Sequence, residues 1–127
     1  VVVRGMPGEG ATLGRGDRIR IFDHLETSQL FELMVRASLV ICRAGYSSIM
    51  DLVTLGRRAV LIPTPGQTEQ EYLAAEMNRK KIAIAQSQHK FDLSGAIRKL
   101  KDYHGFDASE TRTNLLDDAI QDLLHHI

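Results

Sequence analysis

Short apolar runs alternate with amphipathic stretches along most of the chain. Four runs lack polar alternation, as parallel strands buried on both faces do: Val1–Val3, Leu39–Cys42, Ala59–Ile62 and Ile82–Ala85. Arg18–Phe22 alternates polar and apolar residues, which is typical of a strand with one less buried face. Between these strands, apolar residues recur at spacings of three and four, which predicts helices. The pattern therefore predicts an α/β fold with a Rossmann-like, mainly parallel sheet and helices on both faces.

Most of the predicted helices begin at a residue that can cap a helix N-terminus. Gly56 is placed to end the second helix in a left-handed conformation, and Gly5–Gly16 reads as a glycine-rich loop. The predicted starts and inward-facing residues are Thr27 or Ser28 with Leu30, Leu33, Met34 and Ala37; Ser48 and Asp51 with Ile49, Leu52 and Val53; Thr68 and Glu71, running to about Lys80; Leu93, Ala96, Ile97 and Leu100; and Asp107 and Glu110 with Leu115, Leu116, Ala119, Ile120, Leu123 and Leu124.

Composition narrows the class of protein. A chain of 127 residues with 43% hydrophobic residues suits one packed domain over 1–127, and its 16 basic and 16 acidic residues create no global field for nucleic acid. The lone Cys42 excludes an internal disulfide and fits a reducing, cytoplasmic compartment, and no run is long enough to span a membrane. Because the chain begins on Val1 without Met, we interpret it as a piece of a longer protein, with a trimmed or disordered start as the alternative.

The first strand-to-helix junction begins at Arg43. Gly45 permits a positive φ and close approach of a ligand, while Ser47 and Ser48 can either cap the helix or donate to an anion at its N-terminus. Asp51, one turn further, can accept two hydrogen bonds from a vicinal diol such as a ribose. A Ser-x-x-Asp capping box explains the same residues without a ligand, and Arg43 can serve as a loop ion-pair partner instead.

The second junction is the stiff strand exit Pro63–Gly66 followed by a polar helix start. Paired amide and carboxylate groups of this kind can read neighbouring sugar hydroxyls. A capping box formed by Thr68 and Glu71 again offers a purely structural explanation. Since both junctions follow parallel strands, they are expected at the same sheet edge, where ligands bind in such folds. The polar residues of the second junction are Gln67, Thr68, Glu69, Gln70 and Glu71.

Other motifs point to no further chemistry. The glycines of Gly8–Gly14 lead into a strand, whereas a dinucleotide-binding turn opens a helix. Gly45–Ile49 resembles a nucleophile elbow but lacks its closing glycine. Cys42 reads as a core thiol, and the five histidines show no metal-ligand spacing, so neither a metal nor another cofactor is expected.

Three stretches resemble the C-terminal domain of GT-B glycosyltransferases: Cys42–Leu52, Leu55–Ala59 and Ile62–Gln70. They match an Arg-(Ser/Ala)-Gly turn with a following acidic residue, a Leu-Gly-Arg step, and a Pro-x-Pro strand exit before a Gln-bearing helix start. Order, spacing and residue type agree over about half of the chain. The chain is similar to the glycosyltransferase family 28 group that includes the bacterial peptidoglycan N-acetylglucosaminyltransferase.

The resemblance implies that this domain binds the UDP part of a nucleotide sugar, which is a substrate and not a cofactor. UDP-N-acetylglucosamine is one such donor. Carried over position by position, the resemblance assigns the diphosphate to the backbone of Gly45, Tyr46, Ser47 and Ser48, the ribose hydroxyls to Asp51, the donor sugar to Gln70 and Glu71, and the uracil to the backbone near His24 or Leu25.

The chain also departs from the family pattern. Asp51 stands where the family usually has Glu, Ala59 replaces a Pro, and Leu73 and Ala74 occupy the place of an Asn. The resemblance further implies that a first strand with a glycine-rich phosphate loop, and an N-terminal domain that binds the acceptor and supplies the base, would precede Val1.

The function implied by the resemblance is therefore that of the donor half of a transferase. The whole enzyme would move a hexose or N-acetylhexosamine to an acceptor hydroxyl by direct displacement with inversion. No catalytic residue is assigned to this chain, which is expected to be inactive alone and to need the N-terminal domain or a partner subunit. The full-length protein would be cytoplasmic and peripheral to the membrane. The alternative is a stand-alone, non-catalytic binding module or subunit.

Overall fold

The fold is described from a computed structural model, which defines residues 1–5, 18–109, 118, 121–122 and 124–125. Backbone contacts divide the chain into two compact units, 1–36 and 37–127. The α/β class with parallel strands is confirmed, although each strand is shorter than its apolar run. The predicted loop Gly5–Gly16 lies mostly outside the described residues.

In its described residues, the first unit contains two short parallel strands and one helix. Strand β1 (Val2–Val3) pairs with β2 (Ile21–Phe22), and helix α1 spans Thr27–Arg36. Because α1 already begins at Thr27, the prediction that Thr27 or Ser28 caps it is wrong, and both residues lie in its first turn. An ion pair of 3.1 Å between Arg4 Nη1 and Asp23 Oδ1 links the residues that follow the two strands.

The second unit repeats strand and helix in strict alternation. Its elements are β3 (Val40–Cys42), α2 (Tyr46–Leu55), β4 (Ala59–Leu61), α3 (Thr68–Arg79), β5 (Ile84–Ala85) and α4 (Leu93–Lys99), with 3₁₀ turns at Gln88–Lys90 and Leu100–Asp102. The three strands form a parallel sheet in the order β3-β4-β5. All three carboxyl ends therefore lie at one edge.

The core of this unit surrounds the central strand. All of β4 is buried, as is typical of the central strand of a parallel sheet whose faces are covered by helices, and its sequence accordingly shows no polar alternation. Leu52 of α2 and Leu73 of α3 are both fully buried. Ala96 of α4 joins a separate buried cluster that includes Val60 and Tyr103.

The helix ends show which local predictions were correct. Gly56 ends α2 with φ 59° and ψ 49°, as predicted, because a left-handed residue lets its N–H reach the carbonyls of the last turn. In α4, however, Leu93 and Ile97 were predicted to face inward and are instead exposed, while Gly95 and Ala96 are buried. Residue Asp107 accepts hydrogen bonds from Ser109, and the rest of the predicted last helix lies largely outside the described residues.

Candidate functional site

The two strand-to-helix junctions leave neighbouring parallel strands at the same edge. Cys42 of β3 lies opposite Leu61 of β4, and the N–H of Ile62 donates to the carbonyl of Cys42 at 2.9 Å. Just beyond, the Arg43 guanidinium donates through Nη1 to the carbonyl of Ile62 at 3.3 Å. Arg43 therefore bridges the two junctions, and its exposed guanidinium places a positive charge where both begin.

Helix α2 begins without any side-chain cap. Gly45 is its N-cap in an extended conformation, φ −72° and ψ 152°, so the positive φ that glycine permits is not used at this position. The first backbone bond of the helix runs from the N–H of Ile49 to the carbonyl of Gly45 at 3.0 Å. Within the part of the chain that the structure describes, the amides of Tyr46, Ser47 and Ser48 have no acceptor. Such free amides form an anion-binding site when a ligand reaches them.

Gly45 itself borders open space. Apart from Gly45 and its two chain neighbours, no described residue has an atom within 4 Å of where a Cβ at Gly45 would stand. The predicted capping box of Ser48 and Asp51 is wrong, because α2 begins at Tyr46 and Asp51 lies beyond its first turn. A capping box therefore does not explain the presence of Ser48 and Asp51 at these positions.

Asp51 has a half-buried carboxylate close to the end of β3. It makes no hydrogen bond or ion pair with any residue in the described ranges, yet its charge contributes to a raised pKa at Cys42. Burial is the larger cause, and together the two effects raise the pKa of the Cys42 thiol from 9.0 to about 11. A thiol that stays protonated is a poor nucleophile, which supports the interpretation of Cys42 as a core thiol.

The second junction is organised by its own side chains. The Oε1 of Gln70 accepts a hydrogen bond of 2.9 Å from the N–H of Thr64, and the Oε1 of Glu71 accepts one of 3.1 Å from the N–H of Gly66. Gly66 adopts φ 82°, a conformation that favours glycine. These bonds hold the Pro63–Gly66 exit against the start of α3.

The capping box predicted for the second helix is also wrong. Gln67 is the N-cap of α3, it makes no side-chain capping bond, and Thr68 is already the first helical residue. The side chains of Gln67 and Glu69 are exposed and make no hydrogen bond within the described ranges. The Nε2 of Gln70 and the second carboxylate oxygen of Glu71 are likewise not used by the bonds to the loop.

Charge distinguishes the two helix starts. The first turn of α2 contains no acidic residue, whereas the first turn of α3 contains Glu69 and Glu71. Carboxylates at a helix N-terminus compete with a bound anion for the same amides. An anionic group is therefore favoured at α2, next to Arg43, and a neutral, hydroxyl-rich group at α3.

A third loop, which sequence reasoning did not include, leaves the same edge. The N–H of Gln86 continues the ladder to the carbonyl of Leu61 at 3.0 Å. The Gln86 side chain then binds the backbone of Asp92 twice, donating to its carbonyl at 3.1 Å and accepting from its N–H at 3.0 Å. The only sequence signal for this loop was its position after a predicted strand.

Two predicted site residues belong to the other unit. His24 and Leu25 follow β2, with His24 exposed and Leu25 half-buried. The uracil contact assigned to them stays a prediction. Elsewhere, no group of three or more potential metal ligands occurs within the described residues, and none of the described helices is long and apolar enough to cross a membrane.

The comparisons with family models and with curated proteins point to the same family. The model for the glycosyltransferase family 28 C-terminal domain matches residues 13–124. Curated proteins with the name UDP-N-acetylglucosamine–N-acetylmuramyl-(pentapeptide) pyrophosphoryl-undecaprenol N-acetylglucosamine transferase also match. The protein from Desulforudis audaxviator is 32% identical over 81 residues, which is 62% of this chain and 21% of that protein.

Two further relatives with this name match shorter segments. The one from Methylorubrum extorquens strain PA1 is 37% identical over 54 residues, 42% of this chain and 15% of the relative. The one from Paramagnetospirillum magneticum is 56% identical over 34 residues, 27% of this chain and 9% of the relative. The matched regions thus span about a fifth or less of these proteins. No solved structure matches the chain.

Proposed function

Because the chain belongs to the glycosyltransferase family 28 C-terminal domain family, we propose that it forms the UDP-sugar-binding half of a glycosyltransferase. The donor is a UDP-hexose or UDP-N-acetylhexosamine. UDP-N-acetylglucosamine is the first candidate because the names of the matched transferases begin with this nucleotide sugar. The whole enzyme would transfer the sugar to an acceptor hydroxyl. The alternative of a non-catalytic binding module has no observation in its favour.

The observation that carries this proposal is the open start of α2. Free amides at Tyr46, Ser47 and Ser48, no acid in the first turn, and the Arg43 guanidinium together suit the diphosphate. The Asp51 carboxylate, which has no partner in the described part of the chain, then suits the vicinal hydroxyls of the ribose.

The donor sugar is assigned to the start of α3. Gln70 and Glu71 each use one oxygen to hold the loop, which leaves an amide donor and a carboxylate acceptor in fixed positions for neighbouring hydroxyls. Gln67 and Glu69 lie on the same exposed first turn. His24 and Leu25 remain the candidates for the uracil.

The chemical contribution of this half is stabilisation of the leaving group. When the bond between the sugar and the β-phosphate breaks, negative charge grows on the UDP oxygens. The fixed amides of α2 and the Arg43 charge stabilise that growing charge without having to reorganise. We expect the catalytic base and the acceptor site in an N-terminal domain, as the resemblance implies, so direct displacement with inversion would need both halves.

The acceptor and location follow from the same relatives and are part of the proposal. The matched proteins have a lipid-linked pyrophosphoryl-undecaprenol acceptor in their name. An enzyme of this kind would work in the cytoplasm at the surface of the membrane. The N-terminal domain, or a partner subunit in its place, would meet the acceptor.

Titration of UDP and UDP-N-acetylglucosamine into the ¹⁵N-labelled chain tests the proposal. UDP should shift the amide signals of Tyr46, Ser47 and Ser48. Asp51→Asn should weaken the binding of UDP by about tenfold, because a charged acceptor of hydrogen bonds is lost. Asp102→Asn, which changes an exposed carboxyl group elsewhere in the unit, is the matched control and should leave affinity unchanged. The proposal would be refuted if UDP bound neither this chain nor the full-length protein.

A further inference from the structure

The loop between β5 and α4 is closed by its own hydrogen bonds, and we call residues Gln86–Asp92 the third loop. The side chain of Gln86 accepts from the N–H of Asp92 at 3.0 Å and donates to the carbonyl of Asp92 at 3.1 Å, which joins the two ends of the loop. Inside it, the Oγ of Ser87 caps the 3₁₀ turn by accepting from the N–H of His89 at 3.3 Å. The shape of the loop is therefore set by the chain itself and not by a ligand.

The outer part of the third loop presents polar side chains that the fold does not use. Gln88, His89 and Lys90 are exposed, and their side chains make no hydrogen bond or ion pair with any residue in the described ranges. They offer an amide, an imidazole and an ammonium group, all of which can donate to ligand oxygens. Because the loop is already ordered, a ligand that binds these groups would pay a smaller entropic cost.

Exposed polar residues are common in loops, but the position of this loop distinguishes it. The N–H of Ile62 donates to the carbonyl of Cys42, and the N–H of Gln86 donates in the same way to the carbonyl of Leu61. The third loop thus leaves the sheet at the same edge as the two junctions of the candidate site. Since neighbouring strands lie about 4.8 Å apart, the third loop starts one strand spacing from the end of β4 and about 10 Å from the end of β3.

The order of the three loops along this edge matches the order of the groups in a nucleotide sugar. In the proposed site the diphosphate lies at the loop after β3, and the sugar lies at the loop after β4. A ligand that continues in the same direction next meets the third loop, with the side of the sugar ring that faces away from the diphosphate. In a hexose linked through C1, the C4 hydroxyl projects on that side, with the C6 hydroxymethyl group beside it.

We propose that the third loop contacts the donor sugar on the side opposite the diphosphate, and that Gln88 and His89 contribute to the choice of sugar. A site that donates hydrogen bonds to a hydroxyl discriminates against a sugar that places this hydroxyl elsewhere, because its polar groups then lack a partner. Gln86 is a positioning residue, since it closes the loop and does not touch the ligand. The inference rests on the proposed function for the nucleotide sugar itself.

The diphosphate is a poorer match for the third loop than the sugar is. The open amides of α2 follow β3, two strands away, and the first turn of α3 on the intervening junction contains Glu69 and Glu71. Carboxylates between the two places oppose a second position for the same anion. The basic side chains of the third loop therefore suit hydroxyl groups of a neutral sugar.

Amide signals of the ¹⁵N-labelled chain test the inference. UDP should shift the signals of Tyr46, Ser47 and Ser48 and leave those of Gln88–Lys90 in place, whereas UDP-N-acetylglucosamine should shift both groups. The inference alone is overturned if the nucleotide sugar shifts only the first group, or if UDP shifts the loop signals as much as the nucleotide sugar does. If UDP binds neither this chain nor the full-length protein, the proposed function fails together with the inference.

A substitution at His89 measures the contact directly. His89→Ala should weaken the binding of UDP-N-acetylglucosamine by about fivefold and leave that of UDP unchanged, because one hydrogen bond to a sugar hydroxyl is lost. His104→Ala is the matched control: His104 is also exposed, and its N–H donates to the carbonyl of Lys81, which precedes β5 and so lies towards the opposite edge. Equal affinities of the two variants for the nucleotide sugar would contradict the inference.

Substitutions at Gln86 test its positioning role. Gln86→Ala removes both bonds that close the loop and should weaken UDP-N-acetylglucosamine while leaving UDP unchanged. Gln86→Glu keeps an acceptor for the N–H of Asp92 and should retain more of the affinity for the nucleotide sugar. A purely structural role would leave the ratio of the two affinities unchanged in both variants, which circular dichroism should show to be folded, and an unchanged ratio would overturn the positioning role.

Discussion

The starts of helices α2 and α3 lie at the same sheet edge but differ in what holds them. At α3, the side chains of Gln70 and Glu71 return to the loop and bind its amides. At α2, the amides are free, Gly45 leaves open space, and Asp51 has no partner in the described ranges. One junction is thus built to keep its shape, and the other is left open to a ligand.

This comparison shows how stability and binding can be divided between adjacent loops. An uncapped helix start and a half-buried carboxylate without a partner add little to stability. They are useful when a ligand supplies the missing hydrogen bonds. A neighbouring loop that is already fixed by its own bonds can then present groups to the ligand without being reordered, which reduces the entropic cost of binding.

The largest expected effect concerns the core that supports both junctions. Leu52→Ala under α2 and Leu73→Ala under α3 should each lower the free energy of unfolding by about 3 kcal/mol, because each leaves a cavity at a fully buried site. Urea denaturation followed by circular dichroism measures both. A loss below 1 kcal/mol at either site would show that one helix is not supported by the common core.

The next effect separates the two glycines. Gly66→Ala should cost about 1 kcal/mol of stability, since Gly66 has φ 82°, whereas Gly45→Ala should change stability by less than about 0.5 kcal/mol because its φ is −72° and its surroundings are open. If the diphosphate binds at the start of α2 as proposed, Gly45→Ala should nevertheless weaken UDP binding, because the added Cβ would narrow that approach. Thermal unfolding and UDP titration distinguish the two outcomes, and unchanged UDP affinity in Gly45→Ala would place the ligand elsewhere.

A smaller difference is expected between the polar side chains. Gln70→Ala should cost about 1 kcal/mol, because it leaves the half-buried N–H of Thr64 without its acceptor. Asp51→Ala should leave stability within about 0.5 kcal/mol, since no hydrogen bond within the described residues is lost. Chemical denaturation of the pair provides the measurement. A larger loss in Asp51→Ala than in Gln70→Ala would reverse the assignment of structural and binding roles.

The smallest effect uses Cys42 as a reporter of the open junction. Asp51→Asn should lower the pKa of the Cys42 thiol, which should still stay above 9.0 because burial is the larger cause of its shift to about 11. The pH dependence of alkylation by iodoacetamide measures this pKa. An unchanged pKa would mean that the Asp51 charge does not reach the end of β3.

The same shift predicts how stability depends on alkaline pH. The unfolded thiol loses its proton near pH 9, while the folded thiol keeps it to about pH 11, so the folded state binds more protons between these values. Stability should therefore fall as the pH rises through this window. Cys42→Ser should flatten that part of the profile.

The sequence was sufficient to predict the fold class and the strands and helices that the structure describes, because they depend on periodicity. The buried run of β4 and the left-handed end at Gly56 are local signals that tertiary contacts did not change. The capping boxes at Ser48 and Thr68 failed because the helices begin at Tyr46 and Thr68, which moves every capping position. The residue at which such a helix begins depends on where the preceding strand ends and how the connecting loop turns.

The candidate site could be predicted only as a set of residues. Spacing indicated that Arg43 and Gln70 lie at one edge, but it could not show that Arg43 binds the carbonyl of Ile62 or that Gln70 binds the amide of Thr64. The two hydrogen bonds between the Gln86 side chain and the backbone of Asp92 join residues six apart and leave no signal in the composition. Contacts of this kind become visible only in the folded structure.

One consequence follows from the position of β3 in its sheet. Within the described residues β3 pairs only with β4, and Ile41 at its centre is 42% exposed. A strand with one free side is a template on which further polypeptide can add hydrogen bonds. The loop proposed to bind the diphosphate thus directly follows β3, so a change in the pairing of this strand should also alter the position of Arg43 and the start of α2.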